Sequence, residues 1–438
     1  MNPMDPLSFD RAVRSAAARG AQFLASLRSN QPEAAADVHA AVGRVANREV
    51  LDFVRDLPSG DPIQSAALRW MHYLIDLRVN AAALAQVAHA YRRVTHSVRR
   101  PILAELSPHG MLLHALAEPE RRAEWLDALI QVGPGVRDAS LLLWERRMEL
   151  SQRMGFDSPE AMAPTTDLDV TGQLTQTQEL LEQAGPGDLQ GFLRIALASE
   201  ASEGWPAQLN ARTMTDFFRE GSWFYKLSPR FDPWPKPVAP ASFLRGFVAL
   251  GRHFFEAAAS PALPFSVAHD PYGLGTSRSG ALFCLMGSSE AFLRRALGIG
   301  PHRARESVRL LAQSLLLETR VAALRHQLAQ LALQGSAALY AALEEQSSRA
   351  LGFALPRSLA LVLLRPDVDA AQRTVGIALA ASQFVRLRDE HDEDFFRNPR
   401  AAEQLRGEAS FAPEVRVAPE QHAAGVSDLH NLLKERLR

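Results

Sequence analysis

Residues 242–258 read SFLRGFVALGRHFFEAA, and this stretch decides the fold that we expect for the chain. Its large apolar residues recur at three- and four-residue spacing, the period of a helix with one continuously apolar face. They are Phe243, Phe247, Leu250, Phe254 and Ala258. A helix this hydrophobic, which follows a loop rich in proline and aromatic residues, is expected to run through the protein interior.

The overall composition is typical of a globular protein. Of the 438 residues, 47% are hydrophobic and 22% are charged, and the formal net charge is −1. This balance provides no general attraction to nucleic acid or to an anionic membrane, so we predict neither as a partner. A chain of this length forms one large domain or two or three ordinary ones.

The cysteine content and the N-terminal residues bear on location. Cys284 is the only cysteine, which excludes an internal disulfide and a zinc site built from cysteines. It lies in an apolar run, so we interpret it as a small core residue. The N-terminal residues have no basic segment followed by an apolar one, and no run reaches the roughly 18 to 20 apolar residues that span a bilayer. We therefore expect a cytoplasmic location.

Most of the chain has helical periodicity, so the predicted fold class is all-α with at most a very small β element. Long helices are predicted, among others, at residues 302–335, 336–351 and 369–387. The sequence Gly-Pro-Gly at residues 133–135 is predicted to separate two helices. The candidates for short strands are residues 222–227 and 264–268.

Residues 204–240 differ from the rest in their prolines and large aromatic residues, which include Trp205, Trp223, Phe224, Tyr225, Phe231 and Trp234. Two interpretations are open. The aromatic residues form one wall of a ligand site, or they hold a long connection against the core. The second is the more ordinary use of such residues.

The C-terminal residues change character. Residues 408–425 are polar and interrupted by prolines, so we predict a linker. Residues 426–438 are predicted to form an amphipathic helix capped by Ser427, with one apolar face made of Leu429, Leu432, Leu433 and Leu437. This helix either folds back on its own domain or docks into a groove of a partner, with Leu429, Leu432 and Leu433 as anchors.

Four segments occur in a characteristic order along the chain. The first segment, residues 141–163, reads LLLWERRMELSQRMGFDSPEAMA, and the second is the aromatic run around Trp223, which precedes the helix predicted at residues 242–258. The third, residues 277–298, reads SRSGALFCLMGSSEAFLRRALG, and the fourth, residues 388–406, reads RDEHDEDFFRNPRAAEQLR. In this order they resemble the helical zinc peptidases of the oligoendopeptidase, thimet oligopeptidase and angiotensin-converting-enzyme type, the gluzincins. The resemblance implies a large two-lobed helical fold with a central cleft, with an N-terminal lobe at residues 1–160 and a catalytic-like lobe at residues 161–407.

Catalysis in that family needs residues that this chain lacks at the matching positions. Two histidines four residues apart and a glutamate from the following helix bind zinc, and a glutamate between the histidines acts as general base. The resemblance places Val248 and Arg252 at the histidine positions and Ala249 at the base. The third ligand falls on Gly280, or on Ser279 or Arg278 if the register shifts. Valine and alanine offer no lone pair, and arginine repels zinc. We therefore predict no catalytic residue, no metal and no cofactor.

Other sequence features supply no substitute zinc motif. The family's oxyanion-stabilising tyrosines are missing from residues 367–376, and none of the 13 histidines is followed by glutamate or lies four residues from another histidine. His253 and Glu256 are three residues apart, which fits an ion pair or half of a metal site, and we favour the ion pair. The acidic residues 389–394 lack the glycine and spacing of a calcium loop and are interpreted as a solvated turn.

Our first functional hypothesis is a catalytically inactive, metallopeptidase-like protein that binds a peptide or protein in the former catalytic cleft. Arg252 would favour a carboxylate there. The candidate residues of this cleft are Trp223, Tyr225, Arg252, His253, Glu256, His269, Tyr272, Arg278 and Arg373.

Two alternatives are carried beside it. In the first alternative, the chain is a partner subunit that docks onto an active enzyme through its C-terminal helix. In the second, it is a peptidase with atypical metal ligands. The candidate ligands in the latter case are His253, Glu256 and His269.

Overall fold

The structure is a computed structural model that describes residues 5–28, 35–58, 61–97, 112, 115, 118–162, 168, 170–184, 206, 209–224, 238, 240–363, 370–411 and 417–438. Among these residues all regular structure is helical and no strand occurs, which confirms the predicted all-α class. None of the helices in this part of the chain is both long and apolar enough to cross a bilayer.

The first half of the chain contributes helices α1 to α8, which are Pro6–Arg28, Ala35–Gly43, Arg48–Arg55, Pro62–Ser97, Arg122–Arg153, Thr171–Gln176, Gln178–Ala184 and Ala211–Glu220. The second half contributes α9 to α18, which are Pro240–Ala258, Phe265–Ala268, Leu274–Gly287, Glu290–Arg295, Pro301–Leu333, Ser336–Leu351, Ala360–Leu363, Ala370–His391, Pro399–Ser410 and Pro419–Leu437. Short 3-10 turns lie at Pro119–Arg121, Glu160–Met162, Ser222–Phe224, Arg357–Leu359 and Phe395–Arg397.

Both candidate strands contain helical turns instead. Residues 222–224 form a 3-10 turn, and residues 265–268 form α10. The α1 residue Asp10 explains the second case, because its carboxylate accepts hydrogen bonds from the backbone nitrogens of Phe265 and Ser266, each at 2.9 Å. A capped helical turn pairs backbone groups that a lone strand would leave unpaired.

Helix α5 runs without interruption through Pro134, where the sequence predicts a break. Proline inside a helix removes one donor and costs roughly 3 kcal/mol. Pro134 is exposed, whereas Leu129 and Val136 on either side of it are fully buried. Burial of a large apolar side chain stabilises by roughly 1.5–3 kcal/mol. The packed face of α5 therefore outweighs the cost of the proline on its solvent face.

The N-terminal helices surround an apolar core of their own. Its members on α1, α2, α4 and α5 include Phe9, Val13, Phe23, Val38, Val42, Leu74, Leu84 and Leu143. The buried indole of Trp70 in α4 donates to the carbonyl oxygens of Ser266 at 3.1 Å and His269 at 3.0 Å. These bonds join α4 to the segment that leads into α11.

The central helices cross so closely that only glycine fits at the contact. Where α9 meets α11, a Cβ atom on Gly251 would overlap the carbonyl of Ser279, whose hydroxyl donates to the Gly251 carbonyl at 2.7 Å. Where α11 meets α16, a Cβ atom on Gly376 would lie 3.0 Å from the backbone nitrogen of Arg278. Glycine thus sets the distances between the neighbouring helices α9, α11 and α16.

Helix α18 begins at Pro419, inside the segment predicted to be a linker, and α17 extends to Ser410. This corrects the predicted linker at residues 408–410 and 419–425, whereas residues 412–416 lie outside the described residues. Proline is favoured at the first position of a helix, where its missing donor costs nothing. Gly425 lies within α18 at its crossing with α16, where a Cβ atom would overlap the Ala378 carbonyl. Pro419 and Gly425, which predicted a break, are a helix start and a packing contact.

The terminal helix folds back onto its own chain. Leu429, Leu432 and Leu433 are at most 2% exposed and belong to the largest apolar core, which also contains residues of α9, α11, α13 and α16. The buried guanidinium of Arg436 donates to the Ser288 hydroxyl at 2.8 Å and to the Leu285 carbonyl at 2.9 Å. The three leucines therefore lie in the interior and not on a docking surface.

The glycine crossings predict a specific pattern of stability. Gly251→Ala and Gly425→Ala force a methyl group against neighbouring backbone, so each is expected to lower the free energy of unfolding by about 1–3 kcal/mol. Gly407→Ala in α17 is the matched control, because its Cβ atom would have no neighbour within 4 Å. It should stabilise by roughly 0.5–1 kcal/mol. Urea unfolding followed by circular dichroism measures all three, and equal effects would contradict the close crossings.

The buried His72 of α4 predicts a loss of stability in acid. Burial, aided by the charge of Arg55, lowers the pKa of His72 to about 4. In the unfolded chain histidine takes up a proton near pH 6.5. The free energy of unfolding should therefore decrease by about 3 kcal/mol as the pH falls from above 6.5 toward 4. The decrease in unfolding free energy from about pH 7 to about pH 4.5 should be larger for the wild type than for His72→Gln. Parallel pH profiles would contradict this.

Candidate functional site

The residues assigned to a former metal site meet at the crossing of α9 and α11. A Cβ atom on Gly280 would lie 3.1 Å from Cγ1 of Val248 and 3.4 Å from Cγ of Arg252. Ala249 is the neighbour of Val248 on α9 and is half-buried. Gly280 leaves room for the stem of Arg252 to pass over α11. The crossing presents an aliphatic surface and a guanidinium group.

Four further arginines lie on the helices that form or adjoin this crossing. Arg245 lies seven residues before Arg252 and therefore on the same face of α9, two turns away. Arg278 lies on α11 at its crossing with α16, and Arg373 lies one turn before Gly376 at the same crossing. The fifth arginine, on α13, is Arg325. All except Arg245, which is exposed, are half-buried.

Glu318 of α13 identifies a cavity among these arginines. From residue 311 to residue 321 every residue except Glu318 is buried, and its neighbours Leu317 and Thr319 are each 1% exposed. Glu318 nevertheless has an exposed side chain. Because the side chain is accessible and yet surrounded by enough protein to lose much of its hydration, we infer that it faces an internal opening and not the outer surface. We therefore place Glu318 on the wall of a solvent-accessible cavity.

The electrostatic surroundings of Glu318 agree with this position. Loss of hydration is the largest influence on the carboxyl and raises its pKa, while Arg245, Arg373 and Arg325 act in the opposite direction. Three helices thus bring positive charge to one carboxylate. Among the described residues that affect its pKa there is no second carboxylate.

His253 and Glu256 lie close enough on α9 to form an ion pair when His253 is protonated, which is the interpretation favoured from their spacing. The distance from His253 Nδ1 to Glu256 Oε2 is 3.8 Å, and more than half of the Glu256 side chain is exposed. Among the described residues, no three histidine, cysteine, aspartate or glutamate side chains are grouped so that they could hold a metal ion.

His269 and Tyr272 contact the N-terminal helices. The His269 ring lies 4.5 Å from the ring of Phe265, and burial and the charge of Arg14 in α1 lower its pKa. Tyr272 is buried and packs edge-on against Tyr73 of α4, with ring centroids 5.9 Å apart. Burial raises the pKa of its phenol. These two candidate residues help to join α4 to the start of α11.

The aromatic run before α9 is attached to the core where the structure describes it. Trp223 is 1% exposed, its indole donates to the Phe396 carbonyl at 2.6 Å, and its ring packs against Phe254 and Phe283. This contact corresponds to a connection held against the core. Tyr225 lies outside the described residues, as do Trp205, Phe231 and Trp234.

Sequence reasoning missed Glu318, Arg245 and Arg325. A usable signal was present at Glu318, because this carboxylate follows an almost continuous apolar stretch of the long helix α13. Charged residues are seldom placed among core residues unless they are paired or functional. Arg245 and Arg325 carried no comparable signal, because their role depends on which helices pack together in the folded chain.

Comparison with known proteins leaves the family open. No protein-family model and no curated protein matches the sequence. The resemblance to gluzincin peptidases therefore remains a prediction, and function must be argued from the cavity itself.

The thiol of Cys284 is expected to be inert. It is 2% exposed, and burial, with a contribution from Glu318, raises its pKa, which keeps it from forming the nucleophilic thiolate. The native protein should not react with dithiobisnitrobenzoate at about pH 8, and one equivalent should react after unfolding in guanidinium chloride. Rapid reaction of one equivalent in the native protein would contradict the buried position.

Proposed function

We propose that this protein binds an acidic peptide segment in the arginine-lined cavity and does not hydrolyse it. The observation that carries the proposal is the position of Arg252. Its stem lies against Gly280 at the crossing of α9 and α11, and four other arginines lie on the helices around it. The preferred ligand is a peptide or a protein segment with aspartate or glutamate side chains.

The chemistry of guanidinium groups supports a carboxylate ligand. Arginine presents several donors in a planar fork that matches the two oxygens of a carboxylate. A half-buried site strengthens such bonds because the local dielectric is lower than that of water. Arg252, Arg278, Arg325 and Arg373 are all half-buried. They therefore suit recognition of carboxylates better than arginines on an open surface would.

The residues at the crossing also support binding without hydrolysis. Hydrolysis of a peptide by a metal-activated water needs metal ligands and a general base beside the scissile bond. Val248, Ala249 and Gly280 supply none of these groups. An inactive, peptidase-like scaffold with a central cleft fits these residues, and the predicted two-lobed form belongs to the same proposal.

The alternative of docking through the C-terminal helix has less support. Its three anchor leucines are buried in the chain's own core, and Arg436 of the same helix donates a hydrogen bond to the Leu285 carbonyl of α11. Exposure of those leucines would require α18 to detach from the largest apolar core. We therefore retain the cavity as the preferred site.

The test is the binding of fluorescein-labelled, aspartate-rich peptides, each paired with the same peptide carrying asparagine. Binding should be retained only by the aspartate form, and mass spectrometry should find the peptide intact. Arg252→Gln should weaken binding roughly 10- to 100-fold, as expected for hydrogen bonds to a charged group. Arg252→Lys, which keeps the charge and loses the fork, should fall between the two.

The matched control is Arg305→Gln, which removes the same charge from an exposed position on α13. It should bind like the wild type, and circular dichroism should show the same helix content for every variant. Equal binding of the aspartate and asparagine peptides would overturn the proposal. Cleavage of the peptide, lost when Arg252 is replaced, would also overturn it in favour of an enzyme.

A further inference from the structure

We infer that Ser279 is a positioning residue, which holds Arg252 in place for the acidic ligand. This inference rests on the proposed function and adds a residue that acts on the ligand only through Arg252. Ser279 is buried on α11 between Arg278 and Gly280. Its hydroxyl donates to the Gly251 carbonyl at 2.7 Å. That carbonyl belongs to the peptide bond that joins Gly251 to Arg252.

Contacts at three points fix the position of α9 along α11. A Cβ atom on Gly275 would overlap the ring of Phe255, and a Cβ atom on Gly287 would lie 2.8 Å from the ring of Phe247. The third contact, between these two, is the crossing at which the backbones of α9 and α11 touch. Sliding of either helix would produce a clash at one of these points. Arg252, which lies beside the middle contact, therefore has a defined position along α11.

The Ser279 hydroxyl adds a directional bond at the middle contact. Gly251 has no side chain to interlock with α11, so close packing alone resists a rotation of α9 about its own axis only weakly. A hydrogen bond to one particular carbonyl does resist rotation, because such bonds weaken steeply when their geometry is poor. The guanidinium of Arg252 lies farther from the helix axis than the backbone, so any rotation would displace it most.

The stem of Arg252 follows the same part of α11. Its Cγ atom would lie 3.4 Å from a Cβ atom on Gly280, so the stem passes over the residue next to Ser279. The Ser279 hydroxyl thus fixes the backbone of Arg252, and the open surface at Gly280 leaves a path for its side chain. A guanidinium that is placed before the ligand arrives loses less conformational entropy on binding.

The experiment is a double-mutant cycle between Ser279→Ala and Arg252→Gln, with the labelled aspartate-rich peptide as the probe. In an otherwise wild-type chain, Ser279→Ala should weaken peptide binding about 2- to 10-fold, the effect of one hydrogen bond. In the Arg252→Gln chain, Ser279→Ala should leave the remaining affinity unchanged, because the residue through which Ser279 acts is gone. An equal loss in both backgrounds would indicate a structural role and overturn the inference.

The matched control is Ser347→Ala in α14, which carries none of the five arginines assigned to the cavity. Ser347 is also buried, and its hydroxyl donates to the Leu343 carbonyl at 2.6 Å and accepts from the Leu355 nitrogen at 2.8 Å. Its replacement should lower the free energy of unfolding and leave the affinity at the wild-type value. A loss of affinity as large as that of Ser279→Ala would attribute both effects to stability and overturn the inference.

A measurement without ligand separates this inference from the proposed function. The Nε–H signal of Arg252 in a nitrogen-15 spectrum is the one that disappears in Arg252→Lys. Its heteronuclear NOE, which reports motion on the picosecond-to-nanosecond scale, should fall in Ser279→Ala and stay unchanged in Ser347→Ala. If no acidic peptide binds, the proposed function fails, and this signal alone decides whether Ser279 positions Arg252. If the peptide binds and Ser279→Ala changes neither the signal nor the affinity, the inference is overturned and the proposed function stands.

Discussion

The close contact of α9 with α11 governs the central part of the structure. Gly251 and Gly280 bring the two backbones together, and the Ser279 hydroxyl bonds to the Gly251 carbonyl across the gap. A side chain at either glycine would separate the helices. The same spacing continues through Gly376 to α16 and through Gly425 to α18. A displacement at the first crossing would therefore be transmitted to the helix that closes the largest core.

The same geometry explains how charged groups come to lie inside a helical protein. Helices that touch through glycine leave their flanking residues directed to either side of the contact, and Arg252 and Arg278 occupy such flanks. Long arginine stems can pack against apolar neighbours while the guanidinium reaches solvent. Glu318 on the adjacent α13 supplies a counter-charge to three of the arginines. Close backbone packing and an arginine-lined cavity are thus two results of one arrangement.

Periodicity predicted the helical class and the long helices because their buried residues follow a regular spacing. The apolar positions of α9, such as Phe247 and Phe254, are fully or nearly fully buried. Errors arose where glycine or proline was interpreted as a local break. Pro134 lies on the exposed face of α5, and Gly425 serves a contact with α16. Local sequence cannot indicate a partner helix almost fifty residues away.

The candidate site was predictable to a smaller degree. The resemblance placed Arg252 and Gly280 together, and the structure brings them into contact. It also grouped His269 and Tyr272 with them, although these residues contact α1, α4 and α10. Arg245 and Arg325 were not found because helical position alone does not reveal which faces meet. Only the long-range packing of α9, α13 and α16 assembles them.

The charged groups around Glu318 are not expected to increase the stability of the fold. Removing ionised groups from water costs several kcal/mol each, and apolar residues of similar volume are often equally stable or more stable. Every other residue between positions 311 and 321 of α13 is buried, so position 318 is the one accessible position in this segment. The chain places a carboxylate there, and the charges of Arg245, Arg373 and Arg325 act to lower its pKa. Departures from good core packing are expected where a protein binds something, and this is the point at which the structure departs most clearly.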